Sequence, residues 1–332
     1  MDPIILIAIL ISFFCTYLVL PTWIRKAKEN KMTAKDMHKI NEERVAEVGG
    51  ISVLIGLSIG ILIYVGIQTF YIGNTSNLIE IFALLSVLFI SSMIGLTDDL
   101  LGWKKGLNKK IRLILMIFAA IPLMVINAGE SVMSLPLLGT INFGIFYPLL
   151  LIPLGIVATT TAFNIIAGYN GLETSQGILI LSGLGLATYF TGNAWLSVIC
   201  AFAVASLIAF YIFNKHPAKV FPGDTLTYSV GALIGTIAIM GNIEKAAIIF
   251  FIPYILEVFL KARGKLVKES FAKLNEDGSL EVPYEKFYGI EHIAIAVLKK
   301  IKPGKKVYEK EVVYAINLFQ IIFIVLGLLT LL

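Results

Sequence analysis

The chain has 332 residues, of which 58% are hydrophobic, with a mean hydropathy of +0.87 and a formal net charge of +5 at pH 7. So apolar a composition excludes a soluble globule, and the apolar residues come in blocks of the length that a bilayer core of about 30 Å requires of a helix. The positive charge lies between the blocks, so it reads as membrane topology and attraction to anionic head groups; no nucleic-acid partner is expected, since that would want a soluble basic face.

Ten blocks are predicted as spans, at about 3–20, 50–68, 79–97, 111–127, 144–162, 176–191, 195–213, 226–240, 245–262 and 311–330. The first has no basic residue before it, seven in the segment after it and no small-residue cleavage pattern, so it is expected to stay as a span with its N-terminus outside. Of the 27 Lys and Arg residues, 26 fall in the alternate segments 21–48, 98–112, 214–225 and 261–310, leaving only Lys245. That bias sets those segments on the cytoplasmic side and returns the C-terminus to the outside. Cys15 and Cys200 fall within predicted spans and read as small apolar residues, not a disulfide or metal pair.

After the first block, a basic loop from Pro21 to Val48 carries Asp36, Lys39 and Glu47 before Gly49-Gly50. Most of its charges read as solvated loop; the glycine pair admits close approach of backbone or ligand beside Glu47. The outer loops hold turn formers, and the outer segment Asn127 to Phe143 is expected to pack at the membrane interface. The third block ends IGLTDDLLGWKKGLNKKIR, where Asp98 and Asp99 are followed by Lys104, Lys105, Lys109, Lys110 and Arg112. Two readings stand: a water-exposed helix end with snorkelling cations, or an acidic pair facing a basic pocket for a phosphate.

The fifth block runs into NIIAGYNGLE, where Asn164 closes a helix, Gly168 interrupts it, and Asn170 and Glu173 follow in a turn. The seventh runs into FNKHPAKVFPGDT, a turn that carries Phe221 and sets Asp224 where it can cap the eighth helix. The last inside segment, Arg263 to Lys310, predicts a hairpin about Asp277-Gly278 and an amphipathic helix over IEHIAIAVLKKIK, with His292 at the membrane interface. The expected fold class is therefore an all-α integral membrane protein of about ten transmembrane helices with both termini outside. One polytopic domain spans the chain, and 263–310 form a small cytoplasmic insertion within it.

All the polar interruptions share the cytoplasmic side. Asp98, Asp99, Asn164, Asn170, Glu173 and Asp224 offer oxygen ligands with no Cys or His cluster. That inventory suits Mg2+ or Mn2+ held by one or two protein groups together with substrate phosphates.

The segments DDLLGW, NIIAGYNGLE and KVFPGDT, in that order, resemble the motifs of the polyprenyl-phosphate N-acetylhexosamine-1-phosphate transferases. With KDMHK and the LNEDGSLEVPYEKF hairpin, nearly the whole chain is similar to the UDP-GlcNAc:dolichyl-phosphate GlcNAc-1-phosphate transferases of eukaryotes and archaea. The resemblance implies a Mg2+-dependent enzyme of the plasma membrane with its site on the cytoplasmic face. It would act on UDP-GlcNAc and a polyprenyl or dolichyl phosphate, in the first membrane step of lipid-linked oligosaccharide assembly for N-glycosylation. Tunicamycin sensitivity is implied, and a homodimer is admitted.

By motif, Asn164 and Asp224 match the metal ligands, Asn170 and Phe221 the uridine site, and Asp98 and Asp99 the catalytic acidic pair. Lys109 matches a lysine meeting the lipid phosphate, one residue further from the aspartates than in the eukaryotic pattern. Asp36, Glu47, Gly168 and Glu173 fall with the nucleotide and sugar contacts. Where bacterial relatives carry a histidine-rich motif and eukaryotic ones an arginine-rich motif, this chain has ARGKLVKESF, so Arg263, Lys265 and Lys268 are its candidate diphosphate or sugar contacts. The alternatives are the same transfer with another UDP-N-acetylhexosamine, or a cation-coupled transporter, whose acids would lie near the bilayer midplane.

Overall fold

The computed structural model describes residues 3–40, 43–102, 106–136 and 139–331. The helices are α1 (Pro3–Glu29), α2 (Gly50–Gly66, extended by a π turn to Ile72), α3 (Leu78–Leu101), α4 (Lys109–Ala119), α5 (Ile121–Val125), α6 (Ile152–Ile165, preceded by a π turn from Tyr147), α7 (Leu172–Phe190), α8 (Ala194–Asn214), α9 (Gly223–Met240), α10 (Glu244–Phe250), α11 (Ile252–Arg263), α12 (Ile290–Ile301) and α13 (Glu309–Leu329). Among the described residues, seven helices are long and apolar enough to cross a membrane. Two predicted spans are broken: α4 gives way to α5 at Ala120, and α10 to α11 at Phe251. Pro122 and Pro253 lie just past these breaks, where their missing N–H groups are best tolerated at a fresh helix start.

The bundle is organised around α9, whose residues from Thr225 to Met240 are all buried. It packs against α3 and α6, and α2 closes a further side. At Gly95 the backbones of α3 and α9 approach so closely that a Cβ would lie 2.4 Å from the Asp224 carbonyl oxygen. The outer surface carries large exposed apolar side chains, among them Phe14, Leu18, Met93, Phe259 and Leu318, while Ser206, Thr225, Gln176 and Gln320 are buried. An apolar outer surface with polar side chains among the buried residues is the pattern of a chain solvated by lipid.

Three short two-stranded antiparallel sheets decorate the ends: β1 (Thr33–Lys35) with β2 (Arg44–Ala46), β3 (Val132–Leu135) with β4 (Gly139–Asn142), and β5 (Lys273–Leu274) with β6 (Leu280–Glu281). The last is the expected hairpin, with Gly278 at φ 77° and Asp277 Oδ1 accepting from the Ser279 N–H at 3.0 Å. Within the segment Asn127 to Phe143, β3 and β4 pair with each other.

Three expectations are corrected. The basic segment does not begin as a loop at Pro21, because α1 carries Pro21 inside it and continues to Glu29. Its last turns are held by the buried Ala27 and by Trp23, whose indole N–H donates to the Glu47 carbonyl at 2.9 Å. Asp224 does not cap the eighth predicted helix, since it lies inside the first turn of α9 and a carboxylate from α3 does the capping. His292 is not interfacial: it is fully buried, with its Nδ1 accepting from the Tyr288 N–H at 3.3 Å. The amphipathic helix α12 turns that face inward against the α11 side of the insertion, where burial drives the His292 pKa down to about 4.

Candidate functional site

Asn164 sits in the last turn of α6 and Asp224 in the first turn of α9, and their side chains meet. Asn164 Nδ2 donates to Asp224 Oδ1 at 2.7 Å and to Thr227 Oγ1 at 2.8 Å. Both acceptors therefore fix the amide so that its oxygen faces away from them, and that oxygen accepts no hydrogen bond among the described residues.

Asp99, at the end of α3, holds the start of α9. Its Oδ1 accepts from the Asp224 N–H at 2.7 Å, and its Oδ2 from the Thr225 N–H at 3.0 Å and the Thr225 hydroxyl at 2.7 Å. These are orphan donors of a helix N-terminus, where a carboxylate is favoured by hydrogen bonding and by the helix dipole. Gly223, at φ 71°, makes the approach feasible, because a Cβ there would lie 2.6 Å from Asp99 Oδ2. Asp98 lies between the start of α9 and the α4 side. Its Oδ1 accepts from the Leu107 N–H at 2.6 Å and its Oδ2 lies 2.9 Å from Arg112 Nε. Arg112 also donates to the Tyr228 hydroxyl at 3.0 Å and reaches within 3.9 Å of Asp224 Oδ2, so one guanidinium serves two of the three aspartates.

Lys109 opens α4, where Asn108 caps the helix by accepting from the Ile111 N–H at 2.9 Å. Its ammonium donates to the Leu266 carbonyl at 3.2 Å, tying α4 to the loop after α11. Two lysines in a helix's first turn oppose the helix dipole, and together with it they make that end attractive to an anion. Lys104 and Lys105 lie outside the described residues. Arg263, the last residue of α11, and Lys265 and Lys268 on the loop after it are exposed, and among the described residues no hydrogen bond or ion pair joins them to the aspartates. Lys268 instead stands over the Tyr284 ring, 4.8 Å from its centroid.

A second group lies along the 36–50 segment. The Phe221 N–H donates to the Ala46 carbonyl at 2.7 Å, and the Gly49 and Gly50 N–H groups donate to the Phe221 and Pro222 carbonyls at 3.0 and 2.9 Å. The FPGDT turn thus runs beside β2, and Glu47 comes close enough to Asp99 that burial first, and the Asp99 charge second, push its pKa up. Gly168 donates its N–H to Glu173 Oε1 at 2.9 Å. Asn170 donates through Nδ2 to Asp36 Oδ2 at 2.9 Å and through its backbone N–H to Glu309 Oε1 at 2.7 Å.

The fold therefore brings Asp98, Asp99, Asn164 and Asp224 into one polar group, and Asp36 with Asn170 into a neighbouring one. Sequence reasoning missed Thr227, Tyr228, His38, His216 and Glu309. Of these Glu309 carried a signal, an acid in the first turn of an apolar span. The two histidines read as ordinary loop residues.

All the ligand atoms offered are oxygens, from the Asp224 carboxylate and the free Asn164 amide. Among the described residues no three His, Cys, Asp or Glu side chains converge as a complete metal cage. A hard cation completed by substrate phosphates fits that donor set.

A family model described as glycosyl transferase family 4 matches residues 81–242, which contain the whole aspartate group. A protein of Saccharolobus solfataricus, provisionally named a UDP-N-acetylglucosamine–dolichyl-phosphate N-acetylglucosaminephosphotransferase, is 38% identical over 88% of this chain and 88% of its own. A Dictyostelium discoideum protein of that name is 28% identical over 73% of this chain and 67% of its own. A Streptococcus pyogenes phospho-N-acetylmuramoyl-pentapeptide-transferase is 28% identical over 76% of this chain and 77% of its own.

Proposed function

The chain belongs to glycosyl transferase family 4, and from that membership we propose that it transfers GlcNAc-1-phosphate from UDP-GlcNAc to a membrane polyprenyl or dolichyl phosphate, releasing UMP. The observation that carries the reading is the 2.7 Å contact between Asn164 and Asp224, residues 60 apart in sequence, with Arg112 beside them. Membership alone leaves the sugar open; similarity to the dolichyl-phosphate enzymes and the lack of the bacterial histidine motif favour GlcNAc.

Asn164 and Asp224 would hold Mg2+ (or Mn2+), which when bound neutralises the donor diphosphate. The remaining work falls to the chain. A lipid phosphate has a second pKa of about 6, so at neutral pH it is mostly a competent nucleophile, and the barrier is the approach of two anions. Lys109 and Arg112 would lower that repulsion and offset the charge developing on departing UMP. A lipid-phosphate oxygen attacks the phosphorus bearing the sugar, the bond to the UMP oxygen breaks in line, and no enzyme-bound intermediate is needed. Asp98 orients the acceptor phosphate or takes its residual proton, and Asp99 holds Asp224 in place. Phe221 stacks the uracil, with Asn170 at the base and Gly168, Asp36, Glu47 and Glu173 around it. Arg263, Lys265 and Lys268 approach the diphosphate or sugar.

In the membrane, the seven long apolar helices together with α4–α5, α7 and α10–α11 pass ten times, with both termini outside and the site at the cytoplasmic face of the plasma membrane; the same reading admits a homodimer. Incubating purified protein with Mg2+, a polyprenyl phosphate and sugar-labelled UDP-GlcNAc should give a chloroform-soluble labelled lipid and UMP, blocked by tunicamycin. Another UDP-N-acetylhexosamine outpacing UDP-GlcNAc in the same assay reassigns the sugar; substrate counterflow without lipid product points to a transporter.

A further inference from the structure

Glu309, the first residue of α13, is buried, and its carboxylate meets three nitrogens from two separate segments at hydrogen-bond distance, with the His38 ring beside them. Oε1 accepts from the Asn170 backbone at 2.7 Å and lies 3.4 Å from His38 Nδ1; Oε2 lies 2.8 Å from His216 Nδ1 and 3.4 Å from Asn170 Nδ2. The His38 tautomer follows from its other nitrogen. Nε2 accepts from the Ala272 N–H at 3.2 Å, so the ring proton is on Nδ1, the nitrogen 3.4 Å from Glu309. Stacking on Tyr169, with ring centroids 4.3 Å apart, holds the imidazole there.

These contacts fix what Asn170 can offer a ligand. Its Nδ2 faces two carboxylates, Asp36 and Glu309, which can only accept, so the amide cannot turn over. Its backbone N–H is taken as well. What remains of its polar groups is Oδ1 and the carbonyl oxygen, both acceptors. The geometry points to Glu309 as a positioning residue that, with Asp36, makes Asn170 an acceptor-only contact and so selects a base presenting an N–H. This rests on the nucleotide role proposed for Asn170. Uracil, once N1 bears the ribose, carries a single N–H, at N3; cytosine has a lone pair at that position, which would face the Asn170 oxygen. The preference for uridine is thereby written partly from the far end of the chain, by a residue outside the motifs that carry the family resemblance.

The test measures UMP and CMP as competitors of UDP-GlcNAc turnover, with Michaelis constants for both substrates. Wild type should favour UMP by at least about tenfold, the scale of one hydrogen bond replaced by a facing lone pair. Glu309→Gln, which keeps the shape but replaces an acceptor-only partner of Asn170 by an amide and leaves Nδ2 to Asp36 alone, should lower the ratio and raise the Michaelis constant for UDP-GlcNAc while leaving that for polyprenyl phosphate in place. A merely structural Glu309 would move both constants together. Should Glu309→Gln fail to fold, Asp36→Asn removes the other anchor of Nδ2 and is expected to erode the same ratio. Either folded variant retaining wild-type discrimination overturns the proposal, as does a wild type that turns over UDP-GlcNAc yet binds UMP and CMP alike. A wild type with no UDP-GlcNAc-dependent lipid product fails the functional reading itself.

Discussion

Asn164 and Asp224 were legible one residue at a time, because an amide and a carboxylate at the ends of apolar runs are expensive unless something satisfies them. Their partnership was not, since a contact across 60 residues depends on how α6 and α9 lie. Asn164→Ala or Asp224→Ala should abolish Mg2+-dependent turnover while the protein still elutes as a monodisperse folded species; near-normal activity in either would remove it from the site. His292 shows the opposite failure. Its spacing on an amphipathic helix says nothing about which face turns inward, and the fold buries it. Its folded pKa of about 4 lies below the value of about 6.5 in an unfolded chain. The unfolded state therefore binds the extra proton, so this contribution to stability is complete above pH 6.5 and is lost as pH falls toward 4. In His292→Asn, which keeps an acceptor for the Tyr288 N–H, thermal unfolding midpoints should fall less steeply over that window than in wild type.

Helices were read from apolar blocks, and their lengths were mostly right; their ends were decided by neighbours. The α9 N-terminus is the clearest case. A cap was sought within FPGDT, yet the cap is Asp99, 125 residues away on α3. Local sequence cannot reveal this, because a capping carboxylate needs only to be near the orphan N–H groups, whatever its place in the chain. Asp99→Asn should lower stability by about 1–2 kcal/mol, the scale of a lost cap, and reduce turnover by letting Asp224 shift; the thermal midpoint and lipid-product assay together check this. If turnover falls with the midpoint unchanged, Asp99 acts directly on substrate instead. The continuation of α1 past Pro21 has a similar origin, since Trp23 finds its partner in the Glu47 carbonyl.

At the scale of the molecule, 26 of 27 Lys and Arg residues in alternate segments define an inside and an outside. On a background lacking Cys15 and Cys200, a cysteine at Lys245 should react with an impermeant maleimide added to intact cells, and one at Lys286 only after permeabilisation. Equal labelling at both would undo the topology. The oily exterior, with polar side chains paired inside, agrees with that picture, because a bilayer offers no hydrogen bonds and buried polar groups must find one another.

The sequence by itself determined the class of protein, the number of apolar blocks, the places where polar residues interrupt them and the resemblance carried by three short motifs, because all of these are properties of local composition and order. The tertiary structure alone decided that Asp99 caps α9, that Arg112 bridges Asp98 and Asp224, and that Glu309 grips the Asn170 loop. Each is a short-range interaction between residues distant in sequence. Hydrogen bonds and ion pairs act over a few ångströms of space, and only the packing of helices says which residues share that space.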